Sequence, residues 1–402
     1  MKLPGYLLCV LLALATAAAP AAAAPATAEQ KLANGLRVIV KPDRRAPVVV
    51  VLLWYAVGSI DEVTGATGIA HVLEHMAFKG TPTVGNGEYA RIVSQAGGSF
   101  NAFTSHDATG YYLALQKAHL PLALKLEADR MSNLLLSAEE FKKEIRVVME
   151  ERRLRTDDQP RALVTEQLMA TALKAHPYRN PIIGWMGDLE TMRIEEVRDF
   201  YRSWYAPNNA ILVIVGDVEP AQAFALADEH FGAIAAKSLP GRVPRDDPPQ
   251  MGERRAVVKA PAELPHLSMA FPVPLLRDAG KDTEPYALEM LAAVLSGSEA
   301  ARLRRSLMRE QRIASSAGAS YDGMARGPGF FYLSATPTPG RTVAEVEQAL
   351  RREMAKIIEQ GVTAEELERA KAQAVAAHVY QRDSMFFQAR QIGWFEISGI
   401  PH

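Results

Sequence analysis

A proline-rich stretch near the middle of the chain constrains the architecture more than any other sequence feature. Residues 237–254 contain four prolines and clustered charges, a composition that favours an extended linker over an element of a packed core. The linker separates residues 29–236 from residues 255–402. With 402 residues, 48% of them hydrophobic and 23% charged, the chain is long enough to bury two or three cores. We therefore predict two globular domains.

The same order of elements is predicted on both sides of the linker. Apolar, β-branched runs bounded by turn residues indicate strands, and longer periodic stretches indicate helices. Before the linker, the predicted strands are 36–40, 48–55 and 211–215, and the predicted helices are 68–78, 87–96, 120–135, 138–155 and 193–203. After the linker, the predicted strands are 256–258, 267–271 and 330–333, and the predicted helices are 284–296, 300–310, 343–360 and 363–382. This order predicts a duplicated α+β unit.

The first residues are typical of a secretory signal peptide. Lys2 supplies a positive charge, residues 7–14 form a short apolar run, and an alanine-rich stretch follows. Because the run is too short to span a bilayer, we expect residues 1–28 to be removed and no stable membrane anchor to remain. Cys9, the single cysteine, is lost with them, and a chain without thiols suits an oxidising compartment. We expect an exported protein of the bacterial periplasm.

Charge and cysteine content exclude several function classes. Lys plus Arg number 45 against 46 Asp plus Glu, so the net charge is −1 and no basic field favours nucleic acid. One cysteine excludes a disulfide framework and a zinc site built from several thiolates. Any metal would have to be bound by histidine and carboxylate.

A His-x-x-Glu-His string is the candidate centre of chemistry. On a helix, His71 and His75 lie one turn apart with Glu74 beside them on the same face. Two such imidazoles can reach one Zn²⁺ at about 2.0–2.1 Å each, and the glutamate can act as general base on a water held there. The alternative is that both histidines are solvated on an amphipathic helix. This alternative stays open because a His-x-x-Glu-His string arises by chance in roughly one chain of this size in a hundred.

A catalytic zinc needs a third protein ligand and one open position. The predicted helix 138–155 offers Glu144, Glu150 and Glu151. Glu144 and Glu151 are two turns apart and share a face, whereas Glu150 is turned away. Carboxylates among arginines are also what a solvated helix presents, so helix geometry leaves the third ligand open.

With these residues the chain resembles the pitrilysin/insulinase family of zinc peptidases, which carry the inverted His-x-x-Glu-His motif, and in particular its bacterial processing-peptidase-like branch. In that family the third ligand is a glutamate about 76 residues after the second histidine, with an accessory glutamate seven residues earlier. The count from His75 reaches Glu151 and gives Glu144 the accessory position. The resemblance implies one Zn²⁺ per chain bound by His71, His75 and Glu151. It also implies that Glu74 is the general base and that Glu144 orients the ligands.

The resemblance also implies the fold, with two homologous α/β-roll domains whose antiparallel sheets pack against helices. The two domains form a clam-shell. Residues 29–236 would be the catalytic domain and residues 255–402 the homologous, substrate-enclosing domain. The chain ends at His402 just after a helix-like stretch, where the family continues with another helix and a closing strand. A natural early stop explains this end, and so does a truncated gene or a fragment, which would leave the second domain incomplete.

A glycine-rich segment resembles the family's peptide-binding strand. Residues 97–105 match its Gly-Gly-x-x-Asn-Ala-x-Thr pattern, which implies that Asn101, Ala102 and Phe103 contact the substrate backbone. The residues alone predict a glycine turn that leads into a strand, with Asn101 as a turn residue.

The second half matches the family less well. Family members bind substrate with an Arg and a Tyr seven residues apart, after a Ser-Arg-Leu turn that Arg302 and its neighbours match, and the resemblance assigns Arg302 to substrate binding. Met308 and Ser315 stand at the Arg and Tyr positions. A reading shifted by one residue recruits Arg309, but Ser316 then replaces the tyrosine. We therefore expect a heteromer in which a homologous subunit supplies the pair, with a homodimer or a self-contained enzyme as the alternative.

The expected function is a zinc endopeptidase that cleaves peptides or unfolded segments. Two rivals share its residues: an exported, non-catalytic zinc- or peptide-binding subunit, and a zinc amidase acting on non-peptide bonds. A His₂Glu centre can also accept Co²⁺ or Mn²⁺.

Overall fold

Apolar, β-branched residues form the centre of a six-stranded sheet in the computed structural model, which describes residues 27–401. The strands are β1 (Ala28–Lys31), β2 (Arg37–Pro42), β3 (Val48–Tyr55), β4 (Ser99–Thr104), β5 (Thr109–Gln116) and β6 (Ala210–Gly216). Their order across the sheet is β1-β2-β6-β3-β5-β4. Neighbours are antiparallel except β2 and β6, which run parallel. β4 therefore forms one edge of the sheet.

Most helices of the first domain cover one face of this sheet. The helices of this domain are α1 (Ile69–Met76), α2 (Glu88–Gln95), α3 (Leu120–Asn133), α4 (Ala138–Arg152), α5 (Pro160–Ala172), α6 (Met186–Thr191), α7 (Ile194–Trp204) and α8 (Pro220–Phe231). α5 is the exception described below. α4 continues into a π-helical turn at Arg153–Asp157. Leu73, Leu124 and Val197 from three of these helices share a buried cluster with Leu53 and Leu212 of the sheet. This cluster is the largest core of the described residues and the support on which α1 lies.

The second domain has a smaller sheet and longer helices. Its elements are β7 (Leu267–Val273), α9 (Glu284–Ser296), β8 (Ala314–Tyr321), β9 (Gly329–Pro337), α10 (Val343–Gln360), α11 (Ala364–Gln381) and α12 (Met385–Ile397). The three strands are antiparallel in the order β7-β9-β8. Leu303, Leu333 and Leu350 are fully buried in its core.

Each half lends one helix to the sheet of the other. α12 covers the outer face of the first sheet, where Ala389 and Ile392 pack against Leu52, Trp54 and Val213. α5 lies against the second sheet, where Met169 and Ala172 pack with Ala270 and Tyr332. The domains are thus joined by reciprocal packing of apolar faces as well as by the linker.

Several sequence predictions differ from the structure. The predicted strand 256–258 is wrong, since residues 253–262 contain no helix or strand, and no neighbouring strand offers them a ladder of hydrogen bonds. Residues 300–310 were expected to be one helix, but Arg304–Glu310 forms π-helical turns. β1, β5, β8, α5, α6 and α8 were not predicted. The expected signal peptide falls on residues of which 1–26 lie outside the described part of the chain, and Ala28 begins β1.

Candidate metal centre

α1 is held at both its start and its buried face. Gly68 begins the helix with φ 86° and packs so closely on the backbone of Ile183 and Gly184 that a Cβ there would lie 2.4 Å from a carbonyl oxygen. The Glu62 carboxylate accepts hydrogen bonds from the Gly68 and Ala70 N–H groups, at 2.9 and 3.0 Å. This carboxylate satisfies N–H groups that a helix start leaves without partners. Glu62 was not identified from the sequence, because no spacing rule connects it with the motif.

The two histidines and the expected third ligand come together in space. His75 Nε2 lies 3.3 Å from Glu151 Oε2, and His71 Nε2 lies 3.6 Å from the same oxygen. One ligand atom from each of the three residues lies within 4.8 Å of the others. Two ligands bound at 2.0–2.1 Å to a tetrahedral zinc are separated by about 3.4 Å. The spacing of these three side chains therefore fits a single Zn²⁺.

Electrostatics keep His71 in the form that binds metal. Burial, together with the charge of His75, lowers the pKa of His71 to about 3, so its imidazole is neutral at physiological pH. A metal-ligating histidine must be neutral. His71 Nδ1 is buried with no hydrogen-bond partner among the described residues, whereas its Nε2 faces Glu151.

Glu144 orients His75 from behind. Its Oε1 lies 2.9 Å from His75 Nδ1, and its Oε2 lies 2.6 Å from Lys79 Nζ. Burial raises the pKa of Glu144, but the contacts with His75 and Lys79 outweigh it and hold the pKa below its ordinary value. A carboxylate on the far nitrogen fixes the tautomer and orientation of a ligating histidine. Lys79 was not identified from the sequence, although it lies one turn beyond His75.

The Glu74 carboxylate is beside the ligand cluster but is not a member of it. Its Oε2 accepts a hydrogen bond from Thr104 Oγ1 at 2.6 Å. Burial raises the pKa of Glu74, opposed by the Thr104 bond and the charge of His75. Thr104 is the last residue of β4, so the strand edge and the carboxylate are connected directly.

β4 presents its free edge beside this centre. Asn101, Ala102 and Phe103 pair with Tyr112, Tyr111 and Gly110 of β5 on one side. No described strand pairs with the other side. Asn101 is exposed, whereas Phe103 packs edge-on against Trp54 with ring centroids 5.0 Å apart.

Glu151 has a second contact, and Glu150 points elsewhere. Arg155 Nη1 lies 2.7 Å from Glu151 Oε1, which leaves Oε2 toward the histidines. Glu150 pairs with Arg153 on the solvent side, and its side chain is 64% exposed.

Four residues of the second half that were compared with the family's substrate-binding positions contact other residues of that half. Arg302 makes a bidentate pair with Glu366, at 2.6 Å for both nitrogens, and donates to the Gly361 carbonyl. Ser315 Oγ donates to the Thr336 carbonyl, and Arg309 pairs with Glu299. Met308 packs at the second core. These contacts of the four side chains all lie within the second domain.

The second domain is tied to the first directly behind β4. Asp107 accepts hydrogen bonds from the Tyr178 hydroxyl and, at 2.9 Å, from the backbone N–H of Arg326. The Arg326 guanidinium lies 3.2 Å from Asp61 Oδ2. This cluster was not predicted from the sequence, because its members come from four separate segments that only the fold brings together.

Comparison with known proteins agrees with this arrangement. Residues 37–185 match the family described as insulinase (peptidase family M16), and residues 191–374 match the peptidase M16 inactive domain. The chain is 33% identical over 358 residues to the zinc protease PqqE of Helicobacter pylori, covering 88% of this chain and 79% of that protein. It is 27% identical over 340 residues to an uncharacterized zinc protease, YmxG, of Bacillus subtilis, covering 85% and 80%.

Solved structures show the same fold. A protease from Helicobacter pylori superposes with a TM-score of 0.89 at 31% identity, covering 94% of this chain and 90% of that one. The periplasmic protease PqqL from Escherichia coli gives a TM-score of 0.74 at 20% identity, covering 93% and 43%. Across residues 27–401, none of the helices combines the length and apolar character needed to cross a bilayer. The two domains have the mixed helix-and-sheet clam-shell fold predicted for them. The chain belongs to the pitrilysin/insulinase family of zinc peptidases, peptidase family M16.

Proposed function

We propose that this chain is a zinc endopeptidase that hydrolyses peptides or unfolded segments, with His71, His75 and Glu151 as ligands. The observation that carries the proposal is the position of a fourth residue, Glu74. Glu74 lies in the same helical turn as the two histidines, but its carboxylate bonds to Thr104 and stays outside the ligand cluster. A site that only stores a metal does not require a carboxylate that lies beside its two imidazoles without being a ligand.

The donor set suits zinc. Two imidazole nitrogens and one carboxylate oxygen make the His₂Glu set of catalytic zinc sites, which keeps a fourth position open. When bound, the ion would supply a Lewis acid that polarises a carbonyl and lowers the pKa of water to about 7. His71 is kept neutral by burial, and Glu144 and Lys79 hold His75 in place.

Glu74 would move the proton. Its Oε2 is occupied by the Thr104 hydroxyl, which leaves Oε1 to take a proton from the attacking water and to donate it to the leaving amine nitrogen. Burial raises the pKa of this carboxyl above its ordinary value, toward the range in which a general base works best near neutral pH.

The free edge of β4 would hold the substrate. An extended peptide can add to an exposed strand through main-chain hydrogen bonds, and Asn101, Ala102 and Phe103 lie on the edge that ends at Thr104. Such pairing requires an extended backbone, so unfolded segments and free peptides fit this edge, while folded proteins do not.

Two substitutions test the role of Glu74. Glu74→Gln removes the proton acceptor and keeps the shape, so we expect zinc content to be retained and peptide cleavage to fall by at least a hundredfold, the lower limit for general-base catalysis. His71→Ala should lose both zinc and cleavage. Cleavage of a mixed set of unstructured peptides and zinc content by atomic absorption are measured for residues 29–402.

The matched control is Glu150→Gln, on the neighbouring helix and 64% exposed, which should change neither readout. Retention of zinc together with undiminished cleavage in the Glu74→Gln variant would refute the assignment.

A second reading is favoured by one feature of the second half. Met308 and Ser315 stand where the family places its Arg and Tyr, and Arg302 is bound to Glu366. In this reading the chain is the zinc-bearing subunit of a heteromer, and alone it binds zinc or peptide without turnover. Cleavage by the chain alone would exclude it, and cleavage that begins only after a homologous subunit is added would establish it.

The proposal includes export. Residues 1–28 would be removed as a signal peptide and the mature chain would work in the periplasm. Amino-terminal sequencing of the protein from a periplasmic fraction tests this, and an intact Met1 in that fraction would contradict it.

A further inference from the structure

The turn between β4 and β5, residues 105–108, is held by residues 58–61, which we call the clasp. The Ile60 N–H donates to the His106 carbonyl oxygen at 2.9 Å. Gly58 lies so close to the turn that a Cβ there would be 2.4 Å from a carbonyl oxygen of the turn. The clasp therefore sets the position of the turn.

The clasp ends in a buried carboxylate that binds two arginines from outside the first domain. The Asp61 side chain is 3% exposed. Arg242 of the linker donates to its Oδ1 at 2.8 Å, and Arg326 of the second domain donates to its Oδ2 at 3.2 Å. Burying a carboxylate as an anion is costly unless cations and hydrogen bonds compensate its charge. Both of these cations come from parts of the chain beyond the first domain.

Arg326 also bonds to the turn itself. Its Nη1 donates to the Asp107 carbonyl oxygen at 3.1 Å, and its backbone N–H donates to the Asp107 carboxylate at 2.9 Å. The Tyr178 hydroxyl donates to the other oxygen of that carboxylate and accepts a hydrogen bond from the Gly327 N–H at 2.9 Å. Arg326 is thus the residue of the second domain that bonds to both the clasp and the turn.

The turn leads directly to the candidate base. Thr104, the last residue of β4, lies three positions before Asp107, and its hydroxyl donates to Glu74 Oε2 at 2.6 Å. The N–H and the hydroxyl of Ser105 both donate to the Ala108 carbonyl oxygen, at 2.8 and 2.9 Å, so the turn is closed by its own hydrogen bonds. A displacement of the turn would therefore move the Thr104 hydroxyl with it.

We propose that Arg326 is a positioning residue for the Glu74 carboxylate and acts through the clasp, the β4–β5 turn and Thr104. The second domain then contributes to the candidate active site by holding the end of β4 in place. The inference rests on the proposed function, in which Glu74 is the base.

Metal binding does not share these contacts. The three ligand side chains make their ion pairs with one another, with Glu144 and with Arg155, whereas Arg326 bonds to Asp61 and Asp107. Zinc affinity should therefore be independent of Arg326, and this independence separates positioning of the base from a general loss of structure.

Substitution of Arg326 by methionine tests this role. Arg326→Met keeps a long side chain but removes the bonds to Asp61 and to the Asp107 carbonyl. We expect kcat for an unstructured peptide to fall about tenfold or more, because a misplacement of about 1 Å can cost about a hundredfold. KM for the same peptide should change little, since Asn101 and Ala102 keep their pairing with β5. Zinc affinity, measured by competition with a fluorescent chelator, should be unchanged.

Hydrogen exchange read by mass spectrometry tests the same role without reference to activity. In Arg326→Met the amides of residues 103–108 and of the clasp should exchange about tenfold faster or more, because local opening of the turn then costs less free energy. Amides of β2 should exchange as in the parent. A parent chain that cleaves no peptide would count against the proposed function alone, and the exchange rates would still decide whether Arg326 holds the end of β4.

A double variant guards against unfolding by an unpaired buried charge. Asp61→Asn combined with Arg326→Met leaves no carboxylate facing the lost cation, and it should show the same fall in kcat and the same faster exchange. The matched control is Arg255→Met, because Arg255 pairs with Glu347 inside the second domain through hydrogen bonds of 2.9 and 2.8 Å. This control should change neither kcat nor exchange near β4. All variants are made in residues 29–402.

Any of three results would overturn the proposal. The first is a parent-like kcat in a folded Arg326→Met chain or in the double variant, provided that the parent cleaves peptide. The second is exchange of residues 103–108 at the parent's rate in both variants. The third is a zinc affinity that falls in parallel with kcat, because the effect of Arg326 would then be a general one on the structure.

Discussion

The two halves of the chain share one order of elements, but within residues 27–401 they differ in how far their sheets are completed. The first sheet has six strands and is covered on both faces, by its own helices and by α12. The second has three strands and an open edge along β7. The candidate metal centre is built on the more complete half. A metal site needs ligands held to a fraction of an ångström by a packed support, and the first half provides that support.

The largest expected difference between the halves is in how much the free energy of unfolding falls when a large strand side chain is replaced by alanine. Leu52, the fifth residue of β3, is fully buried, whereas Phe271, the fifth residue of β7, is 38% exposed. Leu52→Ala should lower the free energy of unfolding by about 2–5 kcal/mol, while Phe271→Ala should lower it by about 1 kcal/mol, because less area returns to water. Urea unfolding monitored by tryptophan fluorescence measures both. Equal costs would show that the edge of β7 is covered in solution.

The next effect concerns metal affinity in the first half. Glu144→Gln weakens the interaction that orients His75, so zinc affinity should fall about 10- to 100-fold while the fold persists. Competition with a fluorescent zinc chelator measures this affinity. Glu139, on the same helix with its side chain 80% exposed, provides the control Glu139→Gln, which should bind zinc as the parent does. An unchanged affinity in Glu144→Gln would remove this residue from the site.

The smallest effect concerns acid stability in the second half. The Arg302 guanidinium lowers the pKa of Glu366 to about 2, so the carboxylate stabilises the folded chain above its unfolded pKa, about 4.3. That stabilisation is lost as the pH falls from there through about 2. Glu366→Gln should cost about 1 kcal/mol at pH 7, and the cost should disappear at acidic pH.

The control for this effect is Glu365→Gln, since Glu365 is 85% exposed. Thermal unfolding between pH 2 and 7 compares the two variants. A Glu366→Gln variant whose unfolding temperature differs from the parent by the same amount at every pH would contradict this assignment.

Periodicity predicted long elements well and missed others for identifiable reasons. The runs that became β3 and β6 are apolar and β-branched throughout, so their type was clear from the sequence. β8 (ASSAGASY) and α5 (PRALVTEQLMATA) have small or mixed side chains, and their structure depends on neighbours in the other parts of the fold. The stretch 256–258 has strand-like residues but no partner strand among the described residues, and a strand without a ladder does not form.

The candidate site likewise contains residues that were identified from the sequence and residues that only the structure showed. The one-turn spacing of His71, Glu74 and His75 follows from helix geometry, and the family resemblance singled out Glu151 and Glu144, which the structure brings beside them. Thr104, Lys79 and Glu62 contact the same helix, but no spacing in the sequence connects them with the motif. Arg302 was assigned to substrate, and the structure places it against Glu366.

Local periodicity and short spacings were enough to predict the two-domain α+β organisation and the pattern of the histidine motif, and the resemblance carried by that motif led to the family. Tertiary structure decided which carboxylate oxygen faces which imidazole, which hydroxyl holds Glu74, which helix of one half covers the sheet of the other, and where an edge is left open. The physical reason is that these contacts join segments tens to hundreds of residues apart. Their energies depend on burial and packing, which the order of residues alone does not state.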